Sequence, residues 1–237
     1  MSISKDILEH SYLRRPNIRP ERRKLFNTIL NQAETENVDM LFLPEVSVPV
    51  AWFKWIADHA LKQQRAMVFG LEHWVVGKRA FNFIVTLLPF SYDGFKSLAI
   101  NIRLKNHYSP AEVALLEGYG YIVPEVNEPS YDLFEWRGAH FTAFNCFELS
   151  NIEHRSRFRS KIDLLVASEF NKDVNYFSSI VESSARDIHC FVAQVNDSKY
   201  GDSRITQPAS TNYRDLIKVK GGKNPTILVD TINLNDL

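Results

Sequence analysis

Residues 38–45 read VDMLFLPE, a short apolar run that ends at Pro44 and leaves Glu45 just beyond it. A continuous apolar stretch of this length is typical of a β-strand covered on both faces. The segments on either side, 20–38 and 51–64, carry apolar residues at helical spacing. The sequence therefore predicts a helix, a buried strand that delivers Glu45, and a second helix.

Strands and helices alternate along the rest of the chain. The apolar run at 66–76 is joined to the run at 81–90 by residues 77–79, a polar turn that suits a hairpin. A helix is predicted over about 174–186. This mixed order predicts one α/β domain over residues 1–237. The other predicted elements are a helix beginning near Ile152 and strands at 98–104, 140–146, 162–168, 190–196 and 226–234.

The composition is that of an ordinary globular domain. Of the 237 residues, 45% are hydrophobic and 24% charged, and 28 Lys and Arg balance 28 Asp and Glu. This balance argues against a polyanionic partner or a membrane surface. No apolar run reaches the roughly 18 residues of a membrane span. Two cysteines are too few for a disulfide framework, and the start of the chain lacks a signal-peptide pattern, so the predicted location is the cytoplasm.

Three segments resemble, in order, the motifs of the nitrilase superfamily of carbon–nitrogen hydrolases. They are FLPE (42–45), RLKNHYSPAE (103–112) and FNCFE (144–148), and weaker likeness continues at 69–83 and 185–208. Each motif alone is common, because PE dipeptides and lone cysteines occur in many proteins. Their coincidence in this order, over nearly the whole chain from about residue 20, is far more specific.

The resemblance implies a catalytic role for four side chains. Cys146 would be the nucleophile, Glu45 the proton acceptor, and Lys105 the group that stabilises negative charge, with Glu112 as a second glutamate that positions the lysine or the substrate. Attack on an amide or nitrile carbon needs these three functions. The reaction would pass through a thioester and would require no metal or organic cofactor. Lys105 is also expected to favour the Cys146 thiolate, so that Cys146 reacts faster than Cys190.

Other residues are assigned to binding or to support. Phe147 follows the cysteine, and Phe170 and Asn171 fall where family members place residues of the substrate pocket. Glu148 is expected to brace the turn that carries the nucleophile. Cys190 begins an apolar strand and is expected to be a buried residue that packs in the core.

The resemblance also implies an architecture, an αββα four-layer sandwich of mixed sheets with helices outside. Association into a homodimer or a larger homo-oligomer is expected by the same likeness. Residues 1–15 do not show the usual apolar first strand, and they are interpreted as a divergent or truncated one. Asn82 matches the asparagine of the family's hairpin.

The predicted function is hydrolysis of a non-peptide C–N bond in a small-molecule amide or nitrile. Two alternatives stay open at this point. In one, an amine rather than water resolves the thioester, which makes the protein an acyltransferase. In the other, the fold is a catalytically silent or regulatory module, because residues 175–208 also resemble nitrilase-like domains attached to, or partnering, reverse transcriptases of bacterial antiviral defence.

Overall fold

The apolar run at 38–45 forms strand β1 (Met40–Phe42) in a computed structural model of the chain, which describes residues 10–210, 212–222 and 227–237. The predicted helices flank it as α1 (Pro20–Thr35) and α2 (Phe53–Gln63), the latter preceded by a 3-10 turn at Val50–Trp52. Both helices turn an apolar stripe inward, and their buried residues pack with those of β1 in one cluster. Burial of these faces stabilises the helices on the sheet.

The first sheet has four strands in the order β1-β2-β5-β6. Strand β1 pairs in parallel with β2, and the β2–β5 and β5–β6 pairs are antiparallel. The predicted run 66–76 is not one strand, because residues 72 and 73 belong to no strand and the chain then forms a separate hairpin. The strands are β2 (Ala66–Gly70), β5 (Phe83–Tyr92) and β6 (Phe95–Leu104), and the hairpin strands are β3 (Trp74–Val76) and β4 (Arg79–Phe81).

The second sheet has six strands in the order β12-β11-β10-β9-β8-β7. Its centre is parallel, since β8 pairs with β9 and β9 with β10 in the same direction. The strands are β7 (Phe134–Trp136), β8 (Ala139–Asn145), β9 (Leu164–Ser168), β10 (Phe191–Val195), β11 (Ser203–Thr206) and β12 (Asp215–Val219). The later helices are α3 (Pro110–Gly118), α4 (Ile152–Ser156) and α5 (Val174–Ser184), and a π-turn follows at Ala185–His189.

The two sheets pack face to face, which confirms the predicted αββα sandwich. Val68 and Ile84 of the first sheet share a buried cluster with Phe141, Val166 and Phe191 of the second. Alternate residues of the same strands point outward, where α1 and α2 cover one sheet and α5 covers the other. The inner strands β2 and β9 are thus buried at every position, as their continuous apolar runs require.

Two predictions about the ends of the chain differ from the structure. Residues 227–233 form no strand, although the apolar residues Ile232, Leu234 and Leu237 pack against the inter-sheet cluster; Thr226 lies outside the described residues. The apolar side chains of this segment are buried by packing alone, without a hydrogen-bonded partner strand. The strands actually present near this end, β11 and β12, are short and rich in polar residues, so no apolar run marks them.

The predicted first strand at residues 1–15 lies partly outside the described residues, which begin at His10. Residues 10–12 are helical, and Tyr12 is buried against the ring of His73. In the part of the chain that the structure describes, no helix is long and apolar enough to cross a membrane.

Candidate active site

Glu45, Lys105 and Cys146 lie just beyond strand ends at one edge of the sandwich: Lys105 and Cys146 directly follow β6 and β8, and Glu45 comes three residues after β1. Glu45 follows β1 and lies over Gly70, the last residue of β2. A Cβ atom on Gly70 would lie 2.6 Å from the Glu45 Cα and 2.5 Å from the backbone nitrogen of Val46. Only glycine fits at this close backbone approach, so Gly70 sets the position of Glu45.

The ammonium of Lys105 is buried between two carboxylates. Its Nζ donates to Glu45 Oε1 at 2.7 Å and to Glu112 Oε2 at 2.5 Å. The Lys105 side chain is 1% exposed. A buried ammonium requires such charged partners, because the cost of removing it from water is otherwise prohibitive. The structure therefore brings three of the predicted residues into direct contact.

Asn82 connects the two carboxylates to the cysteine turn. Its side-chain amide donates to Glu45 Oε1 at 2.9 Å and to Glu112 Oε1 at 2.8 Å, and its carbonyl accepts from the Asn145 side chain at 3.0 Å. Its backbone carbonyl accepts from the Lys105 N–H at 2.8 Å. These contacts explain why the predicted strand 81–90 is interrupted at Asn82, between β4 and β5.

Glu112 stands in the first turn of α3. Ser109 caps this helix, its Oγ accepting from the Glu112 N–H at 3.1 Å. The Glu112 side chain turns away from the cap and meets His73 Nε2 at 3.1 Å as well as Lys105. His73 was not predicted as part of the site, although the polar pair Glu72-His73 within the apolar run 66–76 was a usable signal.

The pKa values of Glu45, Glu112 and Lys105 are shifted in different directions. Burial raises the pKa of Glu45, and the neighbouring Glu112 adds to the effect, which Lys105 and Asn82 only partly offset. Burial also opposes ionisation of Glu112, but Lys105 and His73 outweigh it and hold that carboxyl's pKa well below its usual range. The pKa of Lys105 is raised in turn by Glu112 and Glu45 despite its burial. Glu112 and Lys105 thus form the ion pair, and Glu45 is the carboxyl suited to exchange a proton.

Cys146 begins a 3-10 turn (Cys146–Ser150) in a left-handed conformation, with φ 48°. Such strain in a non-glycine residue is typical of functional sites. Burial and the nearby Glu45 raise the pKa of the thiol well above its usual value, while Lys105 and the backbone N–H of Phe170 lower it less. Lys105 thus favours the thiolate, as expected, but burial and Glu45 together outweigh it, so the pKa of the thiol in the resting protein lies above its usual value.

Glu148 braces this turn, as predicted. The carboxylate is fully buried and binds Arg103 through two contacts of 2.7 and 2.8 Å. It also accepts from the backbone N–H groups of Asn106, at 2.5 Å, and Asn145, at 2.6 Å. Because Asn106 follows Lys105 and Asn145 precedes Cys146, one buried carboxylate holds the two chain segments together.

A cavity of about 550 Å³ adjoins the site. Phe147 and Asn106, the residues after Cys146 and Lys105, are among its walls, as is Tyr108. The Lys105 Nζ lies 5.5 Å from the centre of the Tyr108 ring. Of the three predicted pocket residues, Phe147 is therefore the one that lines this cavity.

Phe170 and Asn171 are placed elsewhere. The Phe170 ring packs edge-on against Tyr200, with ring centres 5.4 Å apart. The Asn171 side chain accepts from the backbone N–H of Asp173 at 2.9 Å, which closes a local turn. Their assignment to substrate binding stays a prediction, and the Phe170 backbone N–H is the group of this pair that reaches the cysteine.

Glu169 is a carboxyl beside Cys146 that was not predicted. Strands β8 and β9 are parallel with Asn145 opposite Ser168, so Cys146 and Glu169 leave the sheet side by side. Glu169 Oε2 accepts from Gln194 at 2.8 Å, and Oε1 is buried with no hydrogen-bond partner among the described residues. Burial raises the pKa of Glu169 to about 8. The sequence around Glu169, which follows IDLLVAS (162–168), does not indicate a role in the site, because neighbouring strands create the environment of this carboxyl.

The rival nucleophile Cys190 is fully buried among apolar side chains, as predicted. Burial raises its pKa to about 12. Within the described ranges no group of three or more His, Cys, Asp or Glu side chains is placed to hold a metal ion.

No protein-family model matches the sequence, and no curated protein sequence matches it. Solved structures do match its fold. A CN-hydrolase superfamily protein from Xanthomonas campestris matches with a TM-score of 0.61 at 15% identity, over 86% of this chain and 82% of that one. An amidase from Nesterenkonia sp. matches with a TM-score of 0.64 at 14% identity, over 85% and 81% of the two chains.

Another structure of the Nesterenkonia amidase, a variant described as a member of the nitrilase superfamily, matches with a TM-score of 0.63 at 15% identity, over 85% of this chain and 83% of that one. In a further structure of this amidase, acrylamide has added to the active-site cysteine. These likenesses show that the chain has the nitrilase-superfamily fold.

Proposed function

We propose that the protein is a cysteine-dependent hydrolase that cleaves a non-peptide C–N bond in a small-molecule amide or nitrile. The observation that carries this proposal is the buried Lys105 ammonium held between two carboxylates of unequal proton affinity, next to Cys146. The arrangement combines a nucleophile, a proton acceptor and a fixed positive charge. Solved structures of the same fold include an amidase with an active-site cysteine.

The first half of the reaction forms the thioester. Glu45 takes the thiol proton as the Cys146 sulfur attacks the carbonyl carbon, which suits a thiol that is protonated at rest. The electron pair of the C=O bond moves to oxygen, where the Lys105 ammonium and the backbone N–H of Phe147 stabilise the charge. When the intermediate collapses, the C–N bond breaks and Glu45 returns its proton to the leaving nitrogen.

The second half releases the acid. Glu45, again a carboxylate, takes a proton from water as the water oxygen attacks the thioester carbon. The C–S bond then breaks, and the sulfur regains the proton from Glu45. Glu112 remains ionised throughout and keeps Lys105 charged and in place. A carboxyl whose pKa is raised by burial can act in this way as base and acid in turn.

The test is to incubate the protein with a panel of amides and nitriles and to follow intact mass and released ammonia. We expect an acyl adduct and ammonia from the natural sequence and from Cys190→Ala, and neither from Cys146→Ala. Thermal melting checks that both variants fold. An adduct that persists in Cys146→Ala would refute the assignment of the nucleophile.

The same assay separates the two alternatives. If added amines accept the acyl group faster than water does, the protein is an acyltransferase. If a broad panel yields neither adduct nor ammonia, the hydrolase proposal fails and the silent module becomes the better interpretation. The reverse-transcriptase partner and the homo-oligomer stay predictions, and co-purification and light scattering respectively test them.

A further inference from the structure

The cavity beside the site is larger than the reacting amide group requires. Its volume of about 550 Å³ lies within the roughly 300 to 1,000 Å³ of typical small-molecule sites. The reacting amide group itself needs only the space around Cys146 and Lys105. Neither residue is among the walls of the cavity, which run from Phe147 to the segment 123–127, so the cavity can hold the rest of a substrate whose amide group lies at Cys146.

The walls of this cavity carry an uneven charge. Glu125 is the one acidic residue among the described residues that line it, and none of them is Lys or Arg. The nearest fixed cation of the site, Lys105, is already neutralised by Glu45 and Glu112. Arg103 is likewise held by Glu148. A substrate carboxylate would therefore meet a negative charge here and no free cation.

Most of the other polar side chains that line the cavity already form hydrogen bonds within the protein. The Asn106 side chain donates to the Ser130 carbonyl at 2.7 Å and accepts from its N–H at 3.2 Å. His107 Nε2 contacts His154 Nδ1 at 3.1 Å, and Ser150 Oγ donates to the Phe147 carbonyl at 2.8 Å. Glu125, by contrast, makes no hydrogen bond or ion pair with any residue that the structure describes, so its carboxylate is available to a ligand.

We infer that this cavity selects amides whose far end carries a positive charge, such as a primary ammonium, over amides that carry a carboxylate, with Glu125 as the residue that determines the preference. The inference rests on the proposed function and specifies the substrate class of that site. Its physical basis is charge complementarity: an ammonium in the cavity pairs with Glu125, whereas a carboxylate is repelled by it.

Three amides of equal chain length test the preference: 6-aminohexanamide, heptanamide and the monoamide of adipic acid. Released ammonia gives kcat/KM for each, and calorimetry gives the Kd of each for Cys146→Ala, which binds without turnover. We expect the ammonium compound to be preferred and the carboxylate compound to be last in both measurements. Glu125→Gln should reduce the preference by about twofold to fivefold, the range of one solvent-exposed ion pair. Glu125→Lys should reverse it.

The matched control is Glu128→Gln, which removes an exposed acid three positions away that does not line the cavity. It should leave the ranking unchanged. Equal effects of the two substitutions, or a carboxylate compound that ranks first, would overturn the inference.

The two measurements also separate this inference from the proposed function. Turnover of all three amides without any charge preference would refute the inference alone. Absence of turnover of these three amides and of the broad panel, together with Glu125-dependent binding to Cys146→Ala, would support the inference and refute the hydrolase function. Absence of both turnover and preferential binding would refute both.

Discussion

Replacement of Lys105 by methionine should reveal how the buried charges are balanced. The Lys105 side chain is 1% exposed, and its carboxylate partners Glu45 and Glu112 are 5% and 13% exposed. Methionine keeps an unbranched side chain, shorter by the terminal atom, and removes the charge. Breaking a buried ion pair from one side costs about 3–5 kcal/mol, because the remaining charge is left without compensation. We expect Lys105→Met to lose this amount of unfolding free energy at pH 8.

The loss should shrink as the pH falls. In the natural protein Lys105 and His73 depress the pKa of Glu112, so the stability from this group is present above its unfolded pKa and is lost as pH falls through the folded pKa. In the variant, buried carboxylates without a cation have raised pKa values, so they lose stability as pH rises. Both pH 5 and pH 8 lie above the usual pKa of 4.5 for Glu112, so the first effect is the same at the two pH values, and the second effect makes the difference between the two proteins larger at pH 8.

Urea denaturation of both proteins at pH 5 and pH 8 measures the difference. The control is Lys54→Met, which removes an exposed ion pair with Asp58 at 2.6 Å, where the side chains are 86% and 61% exposed. This control should cost less than about 1 kcal/mol at either pH. A Lys105→Met loss that equals the control, or that is the same at both pH values, would refute this account of the site.

Three further predictions concern neighbours of the site. Glu169→Gln should be more stable than the natural protein at pH 9 and similar to it at pH 4, because the raised pKa of Glu169 costs stability as pH rises from 4.5 to about 8; urea midpoints that differ equally at both pH values would contradict this. Gly70→Ala should lose about 1–3 kcal/mol and most activity, since its Cβ would lie 2.6 Å from the backbone next to it, whereas Gly118→Ala, where a Cβ meets no atom within 4 Å, should lose neither. Glu148→Gln should lower the melting temperature and slow acylation of the cysteine, because Arg103 is left buried with its partner's negative charge removed; unchanged melting would show that this ion pair is dispensable.

The fold was predictable wherever a local pattern is strong. The apolar run of β1 and the apolar stripes of α1 and α2 predicted elements that the structure contains, because each is long enough to bury a face by itself. The pattern misled at 226–234, whose described part packs on the sandwich without joining a sheet. It also missed β12, where no strand-length apolar run exists.

The residues of the site were predictable only where they lie in a motif that can be compared with a known family. Glu45, Lys105, Cys146 and Glu112 each stand in a motif that could be compared with a family. Glu169 stands in none, and His73 lies only in the weaker likeness at 69–83, which assigned it no role; each becomes part of the site through contacts that the chain makes at a distance.

The sequence by itself determined which chemical groups stand at the ends of which strands, because strand length and alternation are properties of neighbouring residues. The tertiary structure alone decided their protonation and their surroundings. Lys105 meets Glu45 across 60 residues, and Asn82 meets Asn145 across 63. Burial and such distant contacts set which carboxyl of the pair stays charged, why the Cys146 thiol keeps its proton, and which charge faces the cavity. These are differences in solvation and distance between segments, and no local pattern encodes them.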